Sequence, residues 1–236
     1  MQTRRIILIG IIVAGLVGVA AAAYVWFSGG SGQASQPISS QELTASGSEQ
    51  IVFRIIPEES EVRFILSEVL RGVPTTVIGR SNQVAADIAV NFAVPAASEV
   101  GTVRVNARTL LTDNEFRNRT IRSQILQSSQ DEFEFSEFTP TSLDDMPESV
   151  TIGEPFSFKL TGDLKVRDIV KPVTFDVTVT PVSETRLEGN AVTTVKRSDY
   201  NLVIPSVPGV ADVSEDVRLE IDFVSQAVET TPEPGS

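Results

Sequence analysis

The chain has 236 residues, 41% of them apolar, and carries 31 acidic against 19 basic side chains. That apolar content supports a sizeable core and excludes a disordered polypeptide. There is no His and no Cys, which removes Ser-His-Asp triads, cysteine nucleophiles, His/Cys zinc sites, haem ligation by either residue and disulfides together.

Residues 6–27 contain no charge over 22 positions, about 33 Å as a helix against a hydrocarbon core of about 30 Å. The pattern predicts a single N-terminal transmembrane helix, with residues 1–27 as the anchor. Arg4 and Arg5 precede it and no basic residue follows until Arg54, which orients the N-terminus to the cytoplasm and the remainder outside. Tyr24, Trp26 and Phe27 then fall at the interfacial belt. Ala21-Ala22-Ala23 leaves a cleaved signal peptide as the alternative, giving a secreted or periplasmic product. Beyond residue 28 the chain keeps 17 basic and 31 acidic side chains, a net of -14. Such a surface is repelled by phosphates, so a nucleic-acid partner is not expected.

Residues 28–49 are rich in Ser, Gly and Gln and read as a flexible linker. Residues 227–236 read as a disordered acidic tail, leaving 50–226 as the folded unit. Inside that unit the hydrophobic period is two. Val84, Ala86, Ile88, Val90 and Phe92 alternate with Gln83, Ala85, Asp87, Ala89 and Asn91, predicting one strand with one wet face. The same alternation recurs at Val62, Phe64, Leu66; at Val103, Val105, Ala107; at Phe133, Phe135; at Phe156, Phe158, Leu160; at Val173 to Val179; and at Val217 to Phe223. Parallel sheets bury both faces, so this regularity predicts an all-β antiparallel sheet closed as a barrel or stacked as a sandwich.

Residues 110–126 break the alternation and gather Arg117, Arg119 and Arg122 around Phe116. Thr112-x-x-Glu115 has capping-box spacing, which predicts a short helical insertion over 113–123. On an ideal wheel Phe116 and Ile125 fall on opposite sides. Paired carboxylates are available for glycosidase chemistry, but beyond residue 27 the chain has no Trp and only Tyr200 as an aromatic sugar platform. No phosphate-binding Gly loop or calcium loop is present. No enzymatic activity and no metal are expected.

Three stretches resemble the YceI-like family in the correct order. They are Thr112-Asp113-Asn114-Glu115-Phe116-Arg117-Asn118, then Gly162-Asp163-Leu164-Lys165-Val166 continuing to Pro172-Val173, then Arg197-Ser198-Asp199-Tyr200-Asn201-Leu202. Asn118 stands where the family usually has Asp, and Asp168 and Asn201 stand where it has Gly. The resemblance implies an eight-stranded antiparallel lipocalin-like barrel, with the helical insertion, around an elongated apolar cavity that holds a polyisoprenoid-type lipid.

On that resemblance the lipid contacts are expected at Phe64, Leu66, Ile88, Val90, Phe92, Val105, Phe135, Phe158, Phe175, Ile221 and Phe223. Arg117, which matches the family's Arg, is the candidate for the ligand's polar end, since a guanidinium binds phosphate or hydroxyl through a planar fork. The plainer reading is that the three arginines pair with neighbouring acids. No cofactor is expected beyond a bound polyisoprenoid or isoprenoid quinone as ligand. The expected partners are that lipid and the membrane, with a homodimer also possible. The expected location is the cell membrane, with the folded unit extracytoplasmic. A ligand-free barrel or sandwich for protein interaction at the cell surface is the alternative.

Overall fold

The structure is a computed structural model that describes residues 19–20, 23–43, 47 and 49–228. Among the described residues thirteen strands form one curled antiparallel sheet. They are β1 (Ile51–Ile55), β2 (Glu61–Leu70), β3 (Val73–Ser81), β4 (Val84–Ala85), β5 (Asp87–Val90), β6 (Glu99–Val100), β7 (Val103–Asn106), β8 (Phe135–Asp144), β9 (Phe156–Val166), β10 (Ile169–Ser183), β11 (Arg186–Lys196), β12 (Val210–Ala211) and β13 (Asp216–Ala227).

From β7 to β11 each strand pairs with the next in sequence, and β11 pairs with β13. Both β1 and β2 then pair with β13, with a 3-10 turn at Pro57–Glu59 between them. In turn β3 pairs with β2, and β5 with β1, while β4 crosses to β7. Only Ala86 separates β4 from β5, so the two ends of the sheet's path are brought together and the sheet is barrel-like.

The count of thirteen corrects the eight strands expected, and chain punctuation is the reason. Pro57 lacks an N–H and fixes φ, so it interrupts the first strand path with a 3-10 turn. The expected strand from Val84 to Phe92 breaks at Ala86 and ends at Val90. Nor has it a wet face: Ala85, Asp87 and Ala89 are buried along with Val84 and Ala86. Residues 40–43 lie over that side, where the Leu43 N–H donates to Asp87 Oδ2 at 3.3 Å. Arg54 also donates to Asp87, at 2.8 Å through both Nε and Nη2.

The turns follow local chemistry. Arg71 and Gly72 join β2 to β3 with φ of 51° and 84°, the left-handed pair that a two-residue hairpin loop with the right twist needs. Asn201, where the resembled family has Gly, has a φ of 50°, a conformation that Asn tolerates better than most side chains. The core is the inward face of the sheet, centred on Phe53, Phe138, Phe175, Val177 and Leu187.

Most of the predicted transmembrane segment, residues 1–18, 21 and 22, lies outside the described residues. Among the described residues no helix is long and apolar enough to cross a membrane. Of the stretch read as a linker, residues 28–43 run along the curled sheet. Ser35 donates to Glu134 through its backbone N–H at 2.8 Å and through its hydroxyl. The Gly29 carbonyl accepts from Arg122 Nε at 2.7 Å, and the Arg119 guanidinium lies 3.9 Å from the Trp26 ring centre.

The helical insertion is α1 (Glu115–Thr120) followed directly by a π-helical turn, Ile121–Ile125. Its cap is not Thr112 as expected. Asn114 is the N-cap, its side chain accepting from the Arg117 N–H at 3.0 Å. The Thr112 hydroxyl is engaged instead by Asn118 Oδ1 at 2.7 Å, so a shorter Asx cap replaces the capping box.

Candidate lipid cavity

Among the described residues, the inward face of the curled sheet lines two mainly apolar cavities. The larger has a volume of about 400 Å³ and the smaller about 100 Å³. Only the larger falls within the size range of ligand pockets, about 300–1,000 Å³. Of the residues predicted to line a cavity, Phe64, Leu66, Val105, Phe175 and Ile221 line the larger one. Ile88, Val90, Phe92, Phe158 and Phe223 line the smaller, which Phe175 and Ile221 also touch. The two groups sit at opposite ends of the interior.

Phe135 lines neither cavity. It begins β8 on the outer face, with the Arg104 guanidinium 4.2 Å from its ring centre. Arg104 in turn pairs with Glu137 at 3.0 Å. The inward phase of β8 is set by Ser136 and Phe138, and a polar Ser on the inside hides that phase from a hydrophobicity pattern. Phe133 lies in a 3-10 turn before the strand rather than in it.

The cavity stays open because large rings lie against the wall. A Cβ at Gly79 or at Gly162 would run into the ring of Phe64 or Phe138 respectively. The Phe64 ring therefore occupies the space that a neighbouring strand's side chain would take, and the Phe138 ring is held close to the strand backbone at Gly162. Gly189 receives Phe223 in the same way.

Arg117 and Glu68 supply polar groups to the wall of the larger cavity. Arg117 Nη2 donates to Glu68 Oε1 at 2.7 Å, and Glu68 is only 7% exposed. The other side of the Arg117 fork meets Asp113 at 2.5 Å. Arg119 pairs with Glu115 at 2.9 Å. Arg122 is buried against Gly29 and reaches Glu115 at 3.4 Å, and burial lowers its affinity for the proton. The arginines thus pair with acids as the plainer reading has it, and Arg117 does so on the cavity wall.

Several wall residues escape a sequence reading. Phe116, Thr120, Ile121 and Ile125 face the larger cavity from the helical insertion. An ideal wheel places Phe116 and Ile125 on opposite sides, but the π turn, in which the Leu126 N–H donates to the Ile121 carbonyl at 2.8 Å, changes the angle per residue. Leu202, Ile204, Val207 and Val213 close another side from the irregular stretch before β13, where no period exists to be read. Tyr200 also lines this cavity. Its hydroxyl is buried without a partner, and burial, with Asp199 nearby, pushes it up to about 12. Among the described residues no cluster of acids could hold a metal ion.

A curled antiparallel sheet around an apolar interior, walled on one side by a short helix whose Arg117 pairs with Glu68 of β2, defines a barrel-like binding protein. The chain belongs to the YceI-like domain family, whose model matches residues 53–225. Its fold is similar to that of a polyisoprenoid binding domain from Saccharophagus degradans implicated in plant cell wall breakdown, at 14% identity and a TM-score of 0.60 over 75% of this chain and 99% of that one. It is also similar to BcnA of Burkholderia cenocepacia, at 16% identity and a TM-score of 0.55 over 72% of this chain and 98% of that one. No curated protein sequence matches the chain significantly.

Proposed function

We propose that this protein holds a polyisoprenoid or isoprenoid quinone in the larger cavity, sequestering or carrying it outside the cytoplasm without chemistry of its own. In this reading residues 6–27 attach it to the membrane. The observation that carries the proposal is a cavity of about 400 Å³ with mainly apolar walls and an Arg117–Glu68 pair on one side. A molecule with an apolar tail and one small polar end matches both parts. The name of the Saccharophagus relative points to the same ligand class.

Burial alone suffices for retention. At about 0.8 kcal/mol per buried methylene-sized group, each five-carbon isoprene unit contributes roughly 3–4 kcal/mol before the costs of association. The polar end then has two neighbours: the Arg117 fork can share its N–H groups between Glu68 and a ligand oxygen, as bidentate donors do.

The test is native mass spectrometry of the full chain, followed by organic extraction and identification of whatever was bound. A stoichiometric isoprenoid supports the reading and names the cargo. A bare chain that takes up no isoprenoid when offered one rejects it and favours a ligand-free interaction domain.

A further inference from the structure

Among the described residues the two cavities share four wall residues: Val103, Phe138, Phe175 and Ile221. These come from β7, β8, β10 and β13 and form a layer across the interior. Phe138 and Phe175 meet edge to face at its centre, ring centres 5.0 Å apart and planes at 71°. Both are buried, at 5% and 4% exposure. Phe138 is held on a second side by the wall at Gly162, where a Cβ would collide with its ring.

The geometry points to this layer as a floor that sets the length of the apolar tail the protein accepts, an inference that rests on the isoprenoid reading above. The Arg117–Glu68 pair belongs to the larger cavity alone, so a tail anchored there runs toward Phe138 and Phe175. The space beyond them, about 100 Å³ with apolar walls, is below the size that holds a ligand by itself. From the larger cavity it is reached by displacing two rings that pack edge to face. Edge-to-face pairs of this kind hold beyond their area burial, so a longer tail has to break a packed layer to go further. Phe138 and Phe175 are in this sense specificity-determining residues for tail length, and Ile88, Phe92 and Phe158 contact only tails that pass them.

The test offers the full chain an equimolar series of isoprenoid alcohols from farnesol to solanesol and reads the bound distribution by native mass spectrometry. Wild type is expected to favour the shorter members. Phe138→Ala joins the two cavities and is expected to raise the ratio of long to short homologue bound by about tenfold or more, the size of effect that one added or removed methylene has in an apolar pocket. Should Phe138→Ala fail to fold, Phe138→Leu and Ile221→Ala open the same layer with smaller losses. An unchanged ratio in folded variants overturns the floor while leaving the isoprenoid reading in place. Equal uptake of every length by wild type overturns it too. No uptake of any member by wild type removes the isoprenoid reading and the floor with it.

Discussion

Phe64 of β2 faces Gly79 of β3 across the sheet, and its ring fills the space that any side chain at 79 would need. The pairing is an exchange of volume between strands: the ring gains a flat backbone surface, and the interior keeps a cavity that the ring would otherwise occupy. Glycine is usually a weak strand residue, and here it fixes where an aromatic side chain rests.

Gly79→Ala is expected to swing Phe64 into the larger cavity. Overpacking of a core typically costs about 1–3 kcal/mol, read as a lower urea midpoint with an unchanged slope. Uptake of an offered isoprenoid should fall in parallel. Adding Phe64→Leu to the same chain should recover much of both, because the shorter side chain clears the new methyl group. Stability unchanged in Gly79→Ala alone would show that the ring does not depend on the glycine.

The Arg117–Glu68 pair is best tested as a cycle. Removing Arg117 leaves a carboxylate that is 7% exposed with its cationic partner gone, and breaking such a pair commonly costs about 3 kcal/mol or more. Asp113 and solvent moderate this on the Arg side, where the side chain is 20% exposed. Arg117→Ala should therefore cost clearly more in the native background than in a Glu68→Gln background, with a coupling of about 1–3 kcal/mol from urea denaturation. Additive losses would mean that the two side chains act separately.

Tyr200 predicts an alkaline transition. Burial raises its phenol from an unfolded value of about 10 to about 12, so between those limits the unfolded chain has released the proton and the native chain still holds it. The native state then binds more protons, and stability falls as pH rises through that window, by about 2–3 kcal/mol in all. Below pH 10 the contribution is fully present. Tyr200→Phe should lose this slope, and at neutral pH it should be at least as stable as wild type, since it removes a buried hydroxyl without a partner. A tyrosinate absorbance titration paired with denaturation at each pH reads both effects.

Glu134 predicts the opposite sign in acid. Burial raises its carboxyl, but Ser35, Asn106 and Arg108 together outweigh that and leave it below the usual carboxylate range. This stabilisation is present above the unfolded value near 4 and is lost as pH falls through the lower native one. Ser35→Ala should weaken it by about 1–2 kcal/mol at neutral pH, and the difference from wild type should shrink in acid. Proteolysis of residues 28–43 should speed up in Ser35→Ala at neutral pH. Equal cleavage in both chains would mean that the Ser35 contact does not hold the segment.

Long strands with regular alternation were legible, because a period of two survives whatever packs around it: Phe64, Phe158, Phe175, Ile221 and Phe223 all point inward as the pattern requires. The misses have specific physical causes. Phe135 lies on the outer face because one inward Ser reverses the apparent phase of β8. The alternation puts Asp87 on the face expected to meet water, but the segment that covers it lies some forty residues earlier, and no local pattern announces a long-range cover. Ile125 was lost to a π turn, and Leu202 and Ile204 to a stretch without periodicity. What the pattern could not show was which inward positions share a cavity. Phe64 and Phe92 both face inward, yet Phe138 and Phe175 lie between their two spaces.

Residues 115–125 have two attachments. One side of this short helix is wall to the larger cavity, and the other is gripped by the chain ahead of residue 36, through Arg119 on Trp26 and Arg122 on Gly29. Most strands of the sheet are braced by neighbours on both edges, whereas this element has no ladder to resist a sideways load. A pull applied to the chain ahead of residue 23 is thus delivered to the wall of the cavity before it reaches the sheet, which makes the N-terminal approach a mechanical rein on the compartment rather than a slack leash on the whole protein.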